Sequence, residues 1–300
     1  MLQSKNVIIK KTDNGNQAQV VVHRVVDCFK GLLVAFVLMF STQLQSQCLP
    51  AEMPFNIGEI VDYDIYFKWG FITPRAGQGQ ISFNRCSDAG EAKFKYQLTF
   101  QTSKFFDAIY KMRDTLECFY GSNYSLLYSS KRTSEGGYYS VDELTFSYSG
   151  DKTSIHSYRY TPEKTKIDTF LTVTSGCVTD MFGATFWLRT LDWDNMRIGQ
   201  SYSPTIAIGR DLAKINFRYQ GQSIVEHNEV KYRTHYFHID IFDEVFEQSK
   251  SAAEVWIGDD ENYITIKIRT KLKIGHAEVY YKSSANLKAP LRCRVEMKQP

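Results

Sequence analysis

The sequence predicts an all-β chain, mainly antiparallel: a large curved sheet or flattened open barrel with one short packed α-helix near residues 180–193. Three observations carry this expectation. Apolar and polar residues alternate strictly over several long runs, which gives each strand one buried and one wet face. Turn signals separate those runs. One segment alone carries helical spacing.

The chain opens on a stretch that does not read as part of the folded body. Leu32 to Phe40 is LLVAFVLMF, nine apolar residues with Arg24 and Lys30 upstream. A membrane-spanning helix needs about 20 apolar residues. Nine fit the apolar centre of a secretory signal peptide, with Ser46 available for cleavage. Residues 1–46 are therefore expected to be removed, leaving residues 47–300 as a single β-rich domain with no transmembrane span. The region ahead of the apolar stretch is unusually long, and a start near Val20 or Val25 would shorten it. Cys48 lies where a lipid anchor could attach. The lead-in Gln45-Ser46-Gln47 lacks the small residue that such a site has directly before its cysteine, so an ordinary cleaved leader is expected.

Removing that leader changes the charge. The whole chain has 36 Lys+Arg against 33 Asp+Glu, a net +3; without the five basic and two acidic residues of 1–46 the balance is 31 against 31. A neutral chain with interleaved signs has no gross electrostatic reason to bind nucleic acid or an anionic membrane. Five cysteines remain (Cys48, Cys86, Cys118, Cys177 and Cys293), with no zinc spacing and no repeated framework. One disulfide is compatible with an oxidising compartment.

The strands follow in order. Val61, Tyr63, Ile65, Phe67 and Trp69 alternate with polar neighbours, as do Phe94, Tyr96, Leu98 and Phe100, and later Ala213, Ile215, Phe217 and Tyr219. Ser87-Asp88-Ala89-Gly90, Glu135-Gly136-Gly137, Ser149-Gly150-Asp151 and Gly209-Arg210-Asp211 read as the turns. A short helical turn is expected around Phe105–Ile109. The helix proper follows Thr179-Asp180 as N-caps, with Met181, Ala184, Leu188 and Leu191 on one apolar face. That face needs burial, and the concave side of the sheet offers it. Asp180 and Arg189 flank the helix and are candidates for a buried ion pair. The last long alternation, Ile264 to Ile274, would span roughly 37 Å as one strand.

Candidate chemistry is sparse. The acidic knot Asp259-Asp260-Glu261-Asn262 could bind a divalent cation, but it lacks the spaced ligands and internal glycine of a calcium loop. Consecutive carboxylates point apart, and turns between strands favour Asp and Asn in any case. The knot therefore reads first as a structural turn that launches a core strand, with Trp256 packed on one side. His235 and His238, three apart on a strand, project to opposite faces and cannot share a metal. No nucleophile elbow, zinc-protease motif or phosphate loop is present. No catalytic residue, cofactor or metal is expected, and the chain is not expected to be an enzyme. A glycan hydrolase drawing on Asp180, Glu254, Asp259 or Asp260 stands as the weakest reading.

Four motifs in order resemble the bacterial exported family called domain of unknown function 3108. Phe55-Asn56-Ile57-Gly58-Glu59 with Tyr63-Asp64-Ile65 and Ala76-Gly77 looks like its first hairpin. Thr179-Asp180-Met181-Phe182-Gly183-Ala184 with Leu188-Arg189 looks like its aspartate-to-arginine helix. Trp256-Ile257-Gly258-Asp259-Asp260, followed by a strand ending Lys273-Ile274-Gly275-His276-Ala277, looks like its closing signature, and Asn286-Leu287-Lys288-Ala289-Pro290 like its final-strand motif. Thr265 stands where the family usually has proline. The resemblance implies an exported, mostly antiparallel β domain and carries over no catalytic residue. It supports location in the bacterial periplasm or cell envelope. The leading functional expectation is binding of an apolar or amphipathic ligand such as a lipid inside the curved sheet. The alternative is a structural or interaction module that meets an envelope protein.

Overall fold

The computed structural model describes residues 48, 53–86, 90–242, 249–272 and 275–295. The leader at 1–46 lies outside the described residues, as do Ser87 to Ala89 of the first turn signal. Two antiparallel meanders share one sheet. The first comprises β1 (Glu59–Lys68), β2 (Arg75–Arg85), β3 (Phe94–Thr102), β4 (Arg113–Tyr120), β5 (Leu126–Glu135), β6 (Tyr138–Ser149), β7 (Lys152–Tyr160) and β8 (Thr165–Val173). The short β9 (Val178–Thr179) and β10 (Ser201–Tyr202) lead to β11 (Thr205–Ile208). The second meander comprises β12 (Asp211–His227), β13 (Val230–Phe242), β14 (Ser249–Gly258), β15 (Thr265–Lys271) and β16 (His276–Ala285), with β17 (Arg294–Val295) beside β13. Pairing of β1 with β16 joins the two meanders, and β9 runs parallel to β11. The result is a nearly closed, antiparallel-dominated, barrel-like sheet.

Closure follows from strand length and twist. β12 has 17 residues, roughly 58 Å when extended, and long twisted strands coil rather than lie flat. A register shift after Tyr219 bends it against β13, and another lies between Asp62 and Tyr63 where β1 meets β16. The expected alternation holds where it matters: Val61, Tyr63, Tyr96, Ala213, Ile215, Phe217 and Tyr219 are all buried. The strand expected over Ile264–Ile274 is shorter. Tyr263 has φ +47°, so the extended run begins only at Thr265, opposite Ile257, and it ends at Lys271 with Leu272 exposed. Ile274 lies outside the described residues.

Among the described residues two helices interrupt the strands. α1 (Lys104–Asp107) is the short turn expected near Phe105, capped by the Ser103 hydroxyl accepting from Phe106 N–H. α2 (Gly183–Arg189) is the packed helix. It starts later and stops sooner than its apolar spacing predicts, and Met181 is exposed. The reason is that α2 is buried on more than one side. Phe182 stacks on Tyr96 at 4.6 Å, and Phe186 stacks on Tyr120 at 4.2 Å and on Phe55 at 4.6 Å, all in the first meander or its lead-in. Ala184 and Leu188 pack instead with Ile215, Phe217, Phe237 and Ile257 of the second. A helix enclosed by two half-sheets does not need a single apolar stripe.

Trp256 is not core. Its neighbours Val255 and Ile257 are buried, and alternation turns Trp256 to the opposite face of β14. There it is half-buried, stacked on Tyr236 at 4.7 Å with Lys267 Nζ 4.9 Å above the ring. Truncating Phe186 to Ala should therefore cost ~3–5 kcal/mol. Trp256→Ala should cost about 1–2 kcal/mol. Urea denaturation of both variants would check the order; equal losses would mean that α2 is not the centre of the core.

Candidate functional site

The residues singled out by sequence converge, though not as a reaction centre. Glu59 heads β1 on the same face as Val61 and Tyr63, so the strand's own alternation turns its carboxylate into the protein. Arg189, the last residue of α2, meets it there. Nη1 donates to Oε1 at 2.6 Å and Nη2 to Oε2 at 3.1 Å, a two-pronged pair between side chains only 4% and 1% exposed. Nε and Nη2 also donate to the carbonyl of Asn262, at 3.1 and 2.7 Å. The guanidinium lies 3.9 Å from the Phe55 ring centre. The expected partner of Arg189, Asp180, is elsewhere. It accepts from Gly183 N–H at 2.6 Å and from the Cys118 thiol at 3.3 Å. Burial raises the pKa of Asp180, and it pushes the Cys118 thiol well above its usual range.

Asn262 extends the node. Its Nδ2 donates to Ala289 C=O at 3.0 Å and its Oδ1 accepts from Ala289 N–H at 2.9 Å, so the side chain pairs with the final segment as a backbone would. Asp260 accepts from Asn262 N–H at 3.0 Å and from Cys293 N–H at 2.9 Å. Asn286 Nδ2 donates to Gly58 C=O at 3.0 Å, while Pro290 itself is exposed. Ala76 C=O accepts from Ser103 N–H at 2.8 Å. Gly77 beside it has no room for a β-carbon against the Gln101 carbonyl. Gly275 likewise sits at φ +74° against Lys68 C=O.

The remaining acids of the knot are also engaged. Asp259 Oδ1 lies 3.1 Å from His235 Nε2, and His235 Nδ1 lies 3.0 Å from the Tyr219 hydroxyl. Glu261 pairs with Arg292 at 2.6 Å on the surface. Among the described residues no group of three or more His, Cys, Asp or Glu is arranged to hold a metal ion. His238 contacts the Tyr236 hydroxyl and Glu254 on the face opposite His235. Asp180, Glu254 and the pair Asp259 and Asp260 thus occupy three separate locations rather than the two walls of one cleft. Cys48 is bonded to Cys177, a disulfide that uses the sulfur a lipid anchor would need. Sequence reading missed Glu59 as the partner of Arg189. The signal was present: a carboxylate at the head of an apolar stripe needs a cation.

Open space lies outside the core. A groove of about 540 Å³ crosses β1–β4, lined by Asp62, Gln78, Gln80, Gln101, Arg113 and Lys282. A neighbouring groove of about 450 Å³ shares Gln78, Gln101 and Arg113 and reaches Asp107. Hydrogen bonds from Arg113 and Thr102 hold the Asp107 carboxyl at a pKa of about 2. These grooves are lined by amide and charged side chains and are open to solvent.

Two predictions follow from the buried groups. Breaking the Glu59–Arg189 pair by Arg189→Met should cost ~3–5 kcal/mol, because Glu59 is left charged and buried. Adding Glu59→Leu should recover part of that loss in a double-mutant cycle. Strict additivity would mean that the two do not act as a unit. The second concerns acid. Burial holds the His235 pKa below 6.5, with Asp259 opposing, and burial lowers His227 in the same sense. A base whose folded pKa is depressed gives stability that is complete above the unfolded pKa and declines as pH falls toward the folded one. Unfolding free energy should therefore drop on going from about pH 7 to about pH 5.5, and His235→Gln should make that drop shallower. An unchanged drop would assign the acid sensitivity to other groups.

The match to known proteins agrees with this geometry. A protein from Brucella abortus, described as a beta-barrel-like protein of domain of unknown function DUF1849, aligns with a TM-score of 0.50 at 10% identity. The alignment covers 77% of this chain and 98% of that one, and it supports the barrel-like fold. A protein with a YmcC-like fold from Bacteroides fragilis aligns with a TM-score of 0.31 at 10% identity, over 78% of this chain and 98% of that one. No curated protein is significantly similar in sequence. The family described as "Protein of unknown function (DUF3108)" matches residues 62–282. That span takes in most of the first hairpin, α2 with Arg189, and the acidic knot whose Asn262 carbonyl Arg189 binds, and the chain belongs to this family.

Proposed function

We propose that the chain is an exported, non-catalytic interaction module of the bacterial cell envelope that works through its outer surface. One observation carries the reading: the interior between the two meanders is already occupied. Phe182, Phe186 and Leu188 of α2 fill it, and the void left beside Tyr120, Gly183, Phe186 and Trp187 holds about 10 Å³. A site for a lipid-sized ligand needs about 300–1,000 Å³ with largely apolar walls. The larger grooves are external: those of about 540 and 450 Å³ are polar, and one of about 510 Å³ beside Phe119, Leu127 and Phe146 is more apolar but shallow and open to solvent. Export is supported by the apolar segment Leu32–Phe40 behind Arg24 and Lys30, and by the Cys48–Cys177 disulfide, since such bonds persist in oxidising compartments. Among the described residues no helix is long and apolar enough to cross a membrane.

The test is to purify the protein natively, extract it with organic solvent and analyse the extract by mass spectrometry. The expected result is no stoichiometric lipid relative to a mock purification. A lipid recovered at one per chain would return the interior-ligand reading and sink this one.

A further inference from the structure

Four neighbouring segments at one end of the sheet carry large apolar side chains into solvent. Sheet order runs β15, β16, β1, β2, β3, β4, β5, β6, so the turns joining these strands in pairs stand side by side. The β1–β2 tip exposes Trp69, Phe71 and Ile72 around Gly70. Next to it, α1 and the turn after it expose Phe105, Ile109 and Tyr110, and the β5–β6 tip exposes Tyr138 and Tyr139. On the other flank, the β15–β16 turn exposes Leu272. The segments touch in series. Gly275 packs on Lys68 and Trp69, Ser103 N–H donates to Ala76 C=O, and Gly136 N–H donates to Lys111 C=O at 2.8 Å. Adjacent strands lie about 4.8 Å apart, so the rim is a continuous row several strands wide.

The same row is basic. Lys68, Lys104, Lys111 and Lys271 are exposed; Lys111 lies near the Asp107 carboxylate, which Arg113 already holds. Arg75 is held by Asp64 at 2.5 Å and Asp107 by Arg113 at 2.6 Å, while Glu135 is half-buried. Among the described residues, positive charge therefore collects on these four turns of a chain that is neutral once its leader is removed. Isolated exposed hydrophobics need no explanation, but a contiguous row of them does. Trp and Tyr suit the headgroup level of a bilayer, Phe, Ile and Leu the acyl boundary, and Lys the anionic headgroups.

From this geometry we infer that the hairpin rim docks on an anionic phospholipid surface, inserting Phe71 and Phe105 while Lys68, Lys104, Lys111 and Lys271 bind headgroups. The inference rests on the outward-facing reading above and names its partner. Sedimentation of the mature chain with phosphatidylcholine vesicles, with and without phosphatidylglycerol, tests it. Binding should require phosphatidylglycerol and weaken with added salt. The triple variant Lys68→Gln/Lys104→Gln/Lys111→Gln should bind on the order of a hundredfold more weakly, at about fivefold per lysine. The variant Phe71→Ser/Phe105→Ser should also lose binding, with an unchanged melting curve because both side chains are exposed. Lys152→Gln/Lys231→Gln, at the opposite end, should bind as the native chain does. Equal binding to both vesicle types, no binding, or indifference to the rim variants would overturn the inference. If vesicles are ignored but a photocrosslinker at Phe71 captures an envelope protein, the bilayer inference falls and the outward-facing reading stands. A lipid found inside the purified protein would instead remove that reading.

Discussion

The buried pair of Glu59 and Arg189 is the contact on which the architecture depends. Moving two charges out of water costs several kcal/mol each, and only close geometry with every donor satisfied offsets that cost. Here the guanidinium meets a carboxylate from the first strand, a carbonyl from the β14–β15 turn and an aromatic face from the segment before β1. Glu59 and Arg189 are 130 residues apart, and Asn262 is a further 73 beyond Arg189. Shift α2 by one residue and Arg189 would turn away, leaving Glu59 charged and enclosed. The pair therefore sets where the helix sits as well as how strongly it is held.

That position explains how two meanders can share one interior. Each half-sheet has an inner face of aromatic and branched side chains, and α2 supplies the surface against which both pack. Phe186 fills the first half while Leu188 fills the second. Asn262 and Asp260 then tie the β14–β15 turn to Ala289 and Cys293, so the last segment is locked to the node holding the helix. Acidic residues in a row look like a cation site. Here Asp260 accepts from the backbone N–H groups of Asn262 and Cys293, while Asp259 and Glu261 pair with His235 and Arg292.

Much of this was legible in the sequence, and the limits were local. The period of two fixed strand identity and inner face for β1, β3 and β12, because burial on one side leaves a direct mark on composition. It could not fix strand ends: Trp69 continues the apolar alternation of β1 yet stands exposed at a hairpin tip. The helix was visible but its limits and face were not, since enclosure on two sides removes the polar stripe that would have marked them. Asp180 opens the helical segment that Arg189 closes, but the true partner lies on a strand that only the folded sheet brings close. Trp256 is half-buried rather than enclosed, and a large aromatic in that position looks the same in sequence as one fully in the core.

A further regularity concerns the residues that carry the resemblance to the family. Gly58, Glu59, Gly77, Asp180, Arg189, Asp260 and Gly275 all serve turns, close backbone approaches or buried polar contacts. Such positions tolerate few residue types for reasons of fold alone: a left-handed turn, a missing β-carbon, a charge that must be paired. A motif made of them identifies the architecture and leaves the surface free to vary. Activity then has to be sought where the motifs are silent, at exposed tips and grooves whose composition the fold does not dictate. Trp69, Phe71 and Phe105 are residues of that kind. No packing requirement explains them, and each carries the solvation cost of an exposed apolar surface in the isolated chain.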